Sequence, residues 1–200
     1  MSNSNVHIRT IYGTILGDVF VGRQKLIWRL TRGLYIIKMD LCIDDGNHRM
    51  VTINNEDFDF DIDSYHATDQ MIEMSEYRMS ISSYFIIAYA INNRESFKAV
   101  SRYRNFIYEK INIKNGTKIL LVLCATKCDL ESERVVSTEE GIKVAEEWGC
   151  LYFETSSKTG KGVDEMFNTI VKEFKNSGLL TPLEEIERNK QNKYKWCYLL

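Results

Sequence analysis

Two glycines frame the segment Gly17-Asp18-Val19-Phe20-Val21-Gly22-Arg23-Gln24, which follows an apolar run and opens a stretch of helical spacing. This is the G-x-x-x-x-G spacing of a loop whose backbone N–H groups face a phosphate at a helix N-terminus. The Lys and Ser/Thr that complete such a loop are replaced by Arg23 and Gln24. Further on, Thr126-Lys127-Cys128-Asp129 offers a carboxylate able to accept two parallel N–H bonds from a purine with guanine's donor pair, and a lysine stem to cover the ring face. In Glu154-Thr155-Ser156-Ser157-Lys158 a tight turn can present backbone N–H groups to a base carbonyl. Taken singly, each segment is better explained by a strand-to-helix turn, a solvated surface pair or a plain turn. Order and spacing carry more weight: 104 residues lead from Gly22 to Thr126 and 30 from Thr126 to Ser156.

The elements that must position these segments alternate along the chain. Strand-like runs cover Ile11 to Leu16, Leu34 to Cys42, Arg49 to Asp63, Tyr84 to Ile91, Lys118 to Ala125 and Cys150 to Phe153. The second and third are separated by the turn signal Asp44-Asp45-Gly46-Asn47. Helical spacing covers Arg23 to Arg32, Thr68 to Ser80, Ser96 to Ile111 and Val163 to Phe174; a further helix to about Trp148 starts at the capping box Ser137-Thr138-Glu139-Glu140. About six strands and five helices in this order, with one early hairpin, predict an α/β domain: a mostly parallel sheet with one antiparallel strand, flanked by helices. In such sheets ligands bind beyond the carboxyl ends of the strands, which is where all three segments fall.

The 200 residues carry 26 Lys+Arg against 28 Asp+Glu, a net charge of −2, with 44% hydrophobic and 27% charged residues. That balance excludes disorder throughout and argues against a nucleic-acid binder built on a general basic field. Five cysteines without a CxxC pair, and no cleavable apolar segment at the N-terminus, make a disulfide framework the poorer expectation and reduced thiols the better one. His7, His48 and His66 are scattered without metal-ligand spacing, and no metal site is expected. Asp57-Phe58-Asp59-Phe60-Asp61-Ile62-Asp63 alternates strictly and reads as a solvated outer strand face whose like charges discourage edge pairing, rather than as a cation site.

Ala90-Ile91-Asn92-Asn93, Lys127-Cys128-Asp129-Leu130 and Glu154-Thr155-Ser156-Ser157-Lys158 resemble the Ras/Rap branch of the Ras-like small GTPases almost letter for letter. The resemblance covers about residues 10–176 and runs without gaps from Ile15 to Asn93. It implies the three-layer P-loop GTPase fold and a site for GDP or GTP. For the guanine half, it implies that Asp129 takes the guanine donor pair, that Lys127 and Lys158 flank the ring, and that Ser156 braces the loop. Ser157 offers its backbone N–H to the base oxygen, Thr126 replaces the commoner Asn, and Tyr35 falls where the family packs an aromatic on the base.

The phosphate and magnesium half departs from the family pattern. Gly17, Val21 and Gly22 keep the loop's frame, but Val19 and Phe20 put bulk where relatives carry small residues. Arg23 substitutes a broad fork for a slim ammonium, and Gln24 replaces a hydroxyl that ligates Mg²⁺. Cys42 falls on the Mg²⁺-binding Thr of the first switch, where a thiol is a poor ligand for a hard cation. Ser64 or, with a one-residue slip, Asp63 falls on the acidic residue of D-x-x-G. The glycine of that motif becomes Ala67 or His66, and the water-orienting Gln becomes Thr68 or Ala67. Phosphoryl transfer rests on positioning and charge neutralisation. No catalytic residue is therefore assigned, and hydrolysis is expected to be slow or absent.

Residues 1–176 form the expected domain and 177–200 a tail with Ser177-Gly178 and the lone Pro182 as linker. The final Cys197-Tyr198-Leu199-Leu200 fits a prenylation box whose last Leu favours geranylgeranyl. Arg188, Lys190, Lys193 and Lys195 precede it, so lipid and charge together form a two-signal anchor for the cytoplasmic face of a membrane. The tail nets +1 and the domain −3. Three readings follow: a membrane-tethered signalling module, expected to be monomeric, with guanine-nucleotide binding and weak hydrolysis; a working GDP/GTP switch; and a nucleotide-free scaffold whose phosphate cavity is filled by Phe20 or Arg23. Effector or regulator proteins are the expected partners, through the acidic loop Asp40 to Asn47.

Overall fold

The computed structural model of the protein describes residues 8–35, 47–53, 56–65, 72–110 and 119–177. Cys42, His66, Ala67, Thr68 and Cys197, the segment Asp40 to Gly46, and all but the start of the tail lie outside them. Six strands form one sheet in the order β2-β3-β1-β4-β5-β6, with β1 Arg9–Gly17, β2 His48–Ile53, β3 Glu56–Tyr65, β4 Tyr84–Ala90, β5 Leu120–Thr126 and β6 Leu151–Thr155. Only β2 runs antiparallel, against β3. Helices α1 Arg23–Arg32, α2 Ile72–Ile81, α3 Arg94–Lys98, α4 Val100–Lys110, α5 Thr138–Trp148 and α6 Val163–Ser177 connect the strands. Ala99, itself in the right-handed helical region, is all that separates α3 from α4, so the two replace one expected helix and the predicted fold class stands.

Of the expected strand Leu34 to Cys42 and the turn Asp44 to Asn47, residues 36–46 lie outside the described residues. Leu34 and Tyr35 are not in a strand, and the run Arg49 to Asp63 is divided between β2 and β3. The register of β2 on β3 ends with Ile53 facing Glu56. The strict alternation beginning at Asp57 belongs to β3, which takes the second part of the run expected as one long strand.

The chain forms these elements for local reasons. Every residue of β4 is buried, as a central strand covered by helices on both faces requires. The α5 capping box is complete: the Glu140 N–H donates to Ser137 Oγ at 3.2 Å and the Ser137 N–H to Glu140 Oε2 at 2.9 Å. On one face of the sheet, Phe60, Phe167 and Phe174 pack edge to face, with Phe60 to Phe167 centroids 5.2 Å apart, beside Leu26 and Ile27 of α1. On the other face, Phe85, Ile87 and Tyr89 of β4 meet Tyr103 and Ile107 of α4. The acidic strand is not an edge. β3 lies between β1 and β2, and Arg78 of α2 bridges Asp61 at 2.6 Å and Asp63 at 2.9 Å, while His48 of β2 lies 2.9 Å from Asp59. The carboxylates serve to dock a helix rather than to repel a neighbour. Gly13 leaves room for the Tyr84 ring, whose Cζ lies 1.9 Å from where a Cβ would stand.

Registers Leu16↔Tyr65, Gly17↔Ala88, Ala90↔Thr126 and Thr126↔Thr155 bring the carboxyl ends of five parallel strands to one edge. Every candidate segment is delivered there.

Candidate nucleotide site

The loop between β1 and α1 keeps the frame that its glycines predict. At Gly17 a Cβ would lie 2.4 Å from the Ala88 carbonyl oxygen, so β1 approaches β4 too closely for any side chain. Gly22 caps α1 with φ 92°, a left-handed conformation natural to glycine, and its carbonyl accepts the first helical bond from Leu26 N–H at 2.9 Å. Between them Phe20 adopts φ 64° without being a glycine, and its ring is 87% exposed. Phe20 therefore does not fill the phosphate cavity. Asp18 is turned away from the loop's mouth: Tyr103 Oη donates to it at 2.6 Å and Arg102 Nη2 at 3.3 Å.

Two adjoining cavities open at the strand ends. The first, about 280 Å³, is lined by Tyr35, Thr126, Lys127, Asp129, Ser157 and Lys158 among others. It joins all the residues assigned to the guanine half except Ser156, which lies buried behind it. Ser156 Oγ donates to Asp129 Oδ1 at 2.6 Å and accepts from the Thr159 N–H at 3.1 Å, which is the brace the sequence implied. Thr126 is buried, and its hydroxyl lies 2.7 Å from the Val21 carbonyl and 2.9 Å from that of Tyr89. One hydroxyl proton serves both, where an amide has two donors. Lys127 holds a left-handed backbone with φ 60°.

The second cavity, about 510 Å³, is lined by Phe20, Gly22, Arg23, Gln24, Lys25, Ser64 and Lys127. Gly22, Lys25 and Lys127 line both cavities, so the two are halves of one cleft. Arg23 does not extend into the open: its guanidinium donates to the carbonyls of Gly17 and Tyr65, tying the end of β1 to the end of β3. Burial lowers its pKa, with Tyr103 and Asp18 opposing. Ser64 lines the cleft, and Asp63 is taken by Arg78 and by Tyr65 Oη at 3.4 Å.

The donor set does not fit Mg²⁺. Among the described residues this half presents an amide, a hydroxyl and three cationic side chains but no carboxylate, whereas Mg²⁺ is held through carboxylates, waters and phosphates. No group of three or more His, Cys, Asp or Glu suited to a metal occurs among the described residues.

Two side chains belong to the site without having announced themselves in the sequence. Arg29 of α1 donates from Nε to the Ser157 carbonyl at 2.7 Å and from Nη2 to that of Lys158 at 2.9 Å, pinning the last loop to the first helix. Lys25 holds its ammonium 5.1 Å from the Tyr35 ring centroid. Arg29's partners are carbonyls, which every residue type carries, so spacing could not point to it. Lys25 stands directly after the degenerate loop and could have been found by counting cations there. Cys124 and Cys128 are buried free thiols and Cys150 is half-buried, as expected for core positions.

The glycine-framed loop between β1 and α1, the Asp129 carboxylate at an open cavity and the six-stranded sheet together have the arrangement of the small-GTPase class. The Ras family model matches residues 13–176. Protein ras-1 of Neurospora crassa is 32% identical over 161 residues, covering 80% of this chain and 74% of that protein. The chain belongs to the Ras family.

Proposed function

We propose that the protein is an atypical Ras-family module that binds a guanine nucleotide, hydrolyses GTP very slowly or not at all, and signals through effector or regulator proteins while tethered to a membrane. The observation that carries this reading is the contrast inside one cleft. Asp129 stands braced at an open base cavity, while the Arg23 guanidinium is committed to the Gly17 and Tyr65 carbonyls. A cation so engaged is withheld from the charge that develops during phosphoryl transfer, and Gln24 and Ser64 supply no replacement. The same engagement favours a second reading, a nucleotide-free scaffold.

Nucleotide content of the purified protein and single-turnover hydrolysis of labelled GTP in Mg²⁺ test both. Saturable guanine-nucleotide binding with no burst of phosphate is the expected result. Hydrolysis at the rate of ordinary Ras relatives overturns the reading, and the absence of saturable binding transfers the case to the scaffold. The tether is tested separately: Cys197→Ser moves the protein from the membrane fraction to the soluble one, and an unchanged distribution rejects the prenyl anchor.

A further inference from the structure

Lys25 and Lys127 are the two cationic side chains that line both cavities, and neither is in an ion pair with a carboxylate among the described residues. The base cavity ends, and the phosphate cavity begins, at Gly22, Lys25 and Lys127. A nucleotide whose base meets Asp129 therefore has its first phosphate at this shared wall. Arg23 is engaged elsewhere, and Asp18, the nearest acid of the loop, is held by Tyr103 and Arg102. Two ammonium groups are thus left facing an open cavity. Burial first, then the charge of Lys25, lower the Lys127 pKa, with Glu133 and Asp129 opposing. The Tyr35 ring beneath Lys25, with the Nζ to Oη distance at 3.5 Å, keeps the ammonium at the boundary instead of letting it trail into solvent.

We propose that Lys25, with Lys127, supplies the counter-charge for the nucleotide's first phosphate, so that the protein binds guanosine phosphates without a divalent cation. The proposal rests on the nucleotide reading above and deepens it by naming the residue and by removing the metal. Two fixed ammonium groups neutralise a phosphate monoester's charge as a divalent ion does, and a third positive centre beside them makes a divalent ion an unfavourable addition. The consequence is a ligand preference. GMP and GDP gain over guanosine because of their first phosphate, and the γ-phosphate of GTP adds little because Arg23 is already bonded to the protein.

The test is competition against a fluorescent GDP by guanosine, GMP, GDP and GTP, in Mg²⁺ and in EDTA, for the full chain and for Lys25→Ala, Lys25→Arg and Lys25→Gln. Lys25 is only half-buried and on the first turn of α1, and thermal unfolding confirms that each variant is folded. Expected for the wild type are affinities equal within about twofold in Mg²⁺ and EDTA, and GMP at least about tenfold tighter than guanosine, the worth of one charge-assisted contact. Lys25→Ala and Lys25→Gln erase the GMP-over-guanosine gap, and Lys25→Arg restores most of it. Binding that weakens more than about tenfold in EDTA overturns the proposal and leaves nucleotide binding intact, as does a gap unaffected by Lys25→Ala. Absence of saturable binding by any of the four ligands overturns both this proposal and the nucleotide reading.

Discussion

The two halves of the cleft share one sheet edge and one helix, yet they handle their polar groups in opposite ways. In the base half, side chains satisfy one another so as to leave chemistry facing outward. Ser156 braces Asp129, Thr126 links the loop of Val21 to β4, and Arg29 gathers the Ser157 and Lys158 carbonyls. In the phosphate half three charged groups turn inward: Arg23 onto Gly17 and Tyr65, Asp18 onto Tyr103 and Arg102, Asp63 onto Arg78. The sheet that carries both is equally well buried beneath each, since Ile15, Leu16, Ile86 and Leu123 are inaccessible to solvent. One sheet edge thus carries a half whose polar groups are braced to face a cavity and a half in which Arg23, Asp18 and Asp63 are bonded within the protein.

The sharpest way to break the comparison is to remove a carboxylate from the base half. Asp129→Ala deletes the acceptor for two N–H donors, each charge-assisted bond being worth about 1.5–3 kcal/mol. Affinity for fluorescent GDP is expected to fall about 100-fold or more, with the unfolding midpoint within a few degrees of wild type. A loss under about fivefold removes Asp129 from the site and with it the contrast. In the phosphate half the expected outcome is reversed. Arg23→Ala strips two main-chain carbonyls of a half-buried partner and costs about 1–3 kcal/mol in urea unfolding, while GDP affinity stays within about threefold. If affinity falls and stability does not, Arg23 is a ligand residue after all.

What could be read from the sequence follows the reach of the forces involved. The α5 capping box and the all-buried β4 depend on neighbours three or four residues away or on composition alone, and both were visible. Thr126, Lys127, Asp129, Ser156 and Lys158 could be singled out because their side-chain types and their place at strand ends suggest a site, and Ser157 only because it lies between two of them. Arg29, Arg78 and the inward turn of Arg23 could not be, because their partners lie across the sheet or are carbonyls that carry no sequence identity. The break between β2 and β3 was missed for a related reason. The run Arg49 to Asp63 reads as one strand by its composition, and only the pairing of Met50 with Asp59 and Val51 with Phe58 divides it in two.

Lys127 gives a subtler separation by pH. Burial first, then the nearby Lys25, hold its native pKa below the usual lysine value. Between that lowered value and the unfolded one, the unfolded chain binds more protons, so the stability of the ligand-free protein rises with pH across the window. A phosphate beside Lys127 favours the ammonium, so binding takes up a proton there and affinity falls as pH rises. Opposite slopes of the unfolding midpoint and of GDP affinity above neutral pH are expected; parallel slopes contradict a phosphate at Lys127.

The smallest effect separates the halves by backbone strain, because each contains one non-glycine residue in the left-handed region: Phe20 at φ 64° and Lys127 at φ 60°. That conformation costs an ordinary L-residue about 1–2 kcal/mol. Glycine recovers the cost but loses about 0.4–1 kcal/mol through the greater freedom of its unfolded chain. Phe20 has no packing to forfeit, its ring being 87% exposed, so Phe20→Gly is expected to stabilise the protein by about 0.5–1 kcal/mol with GDP affinity unchanged. Lys127→Gly relieves the same strain but removes the stem that lines both cavities, so its gain in unfolding free energy comes with weaker binding. Strain at Phe20 that proves neutral for binding marks the phosphate loop as backbone that outlived its ligand contacts. Strain at Lys127 that cannot be relieved without losing the nucleotide marks the base loop as backbone still held in place for one.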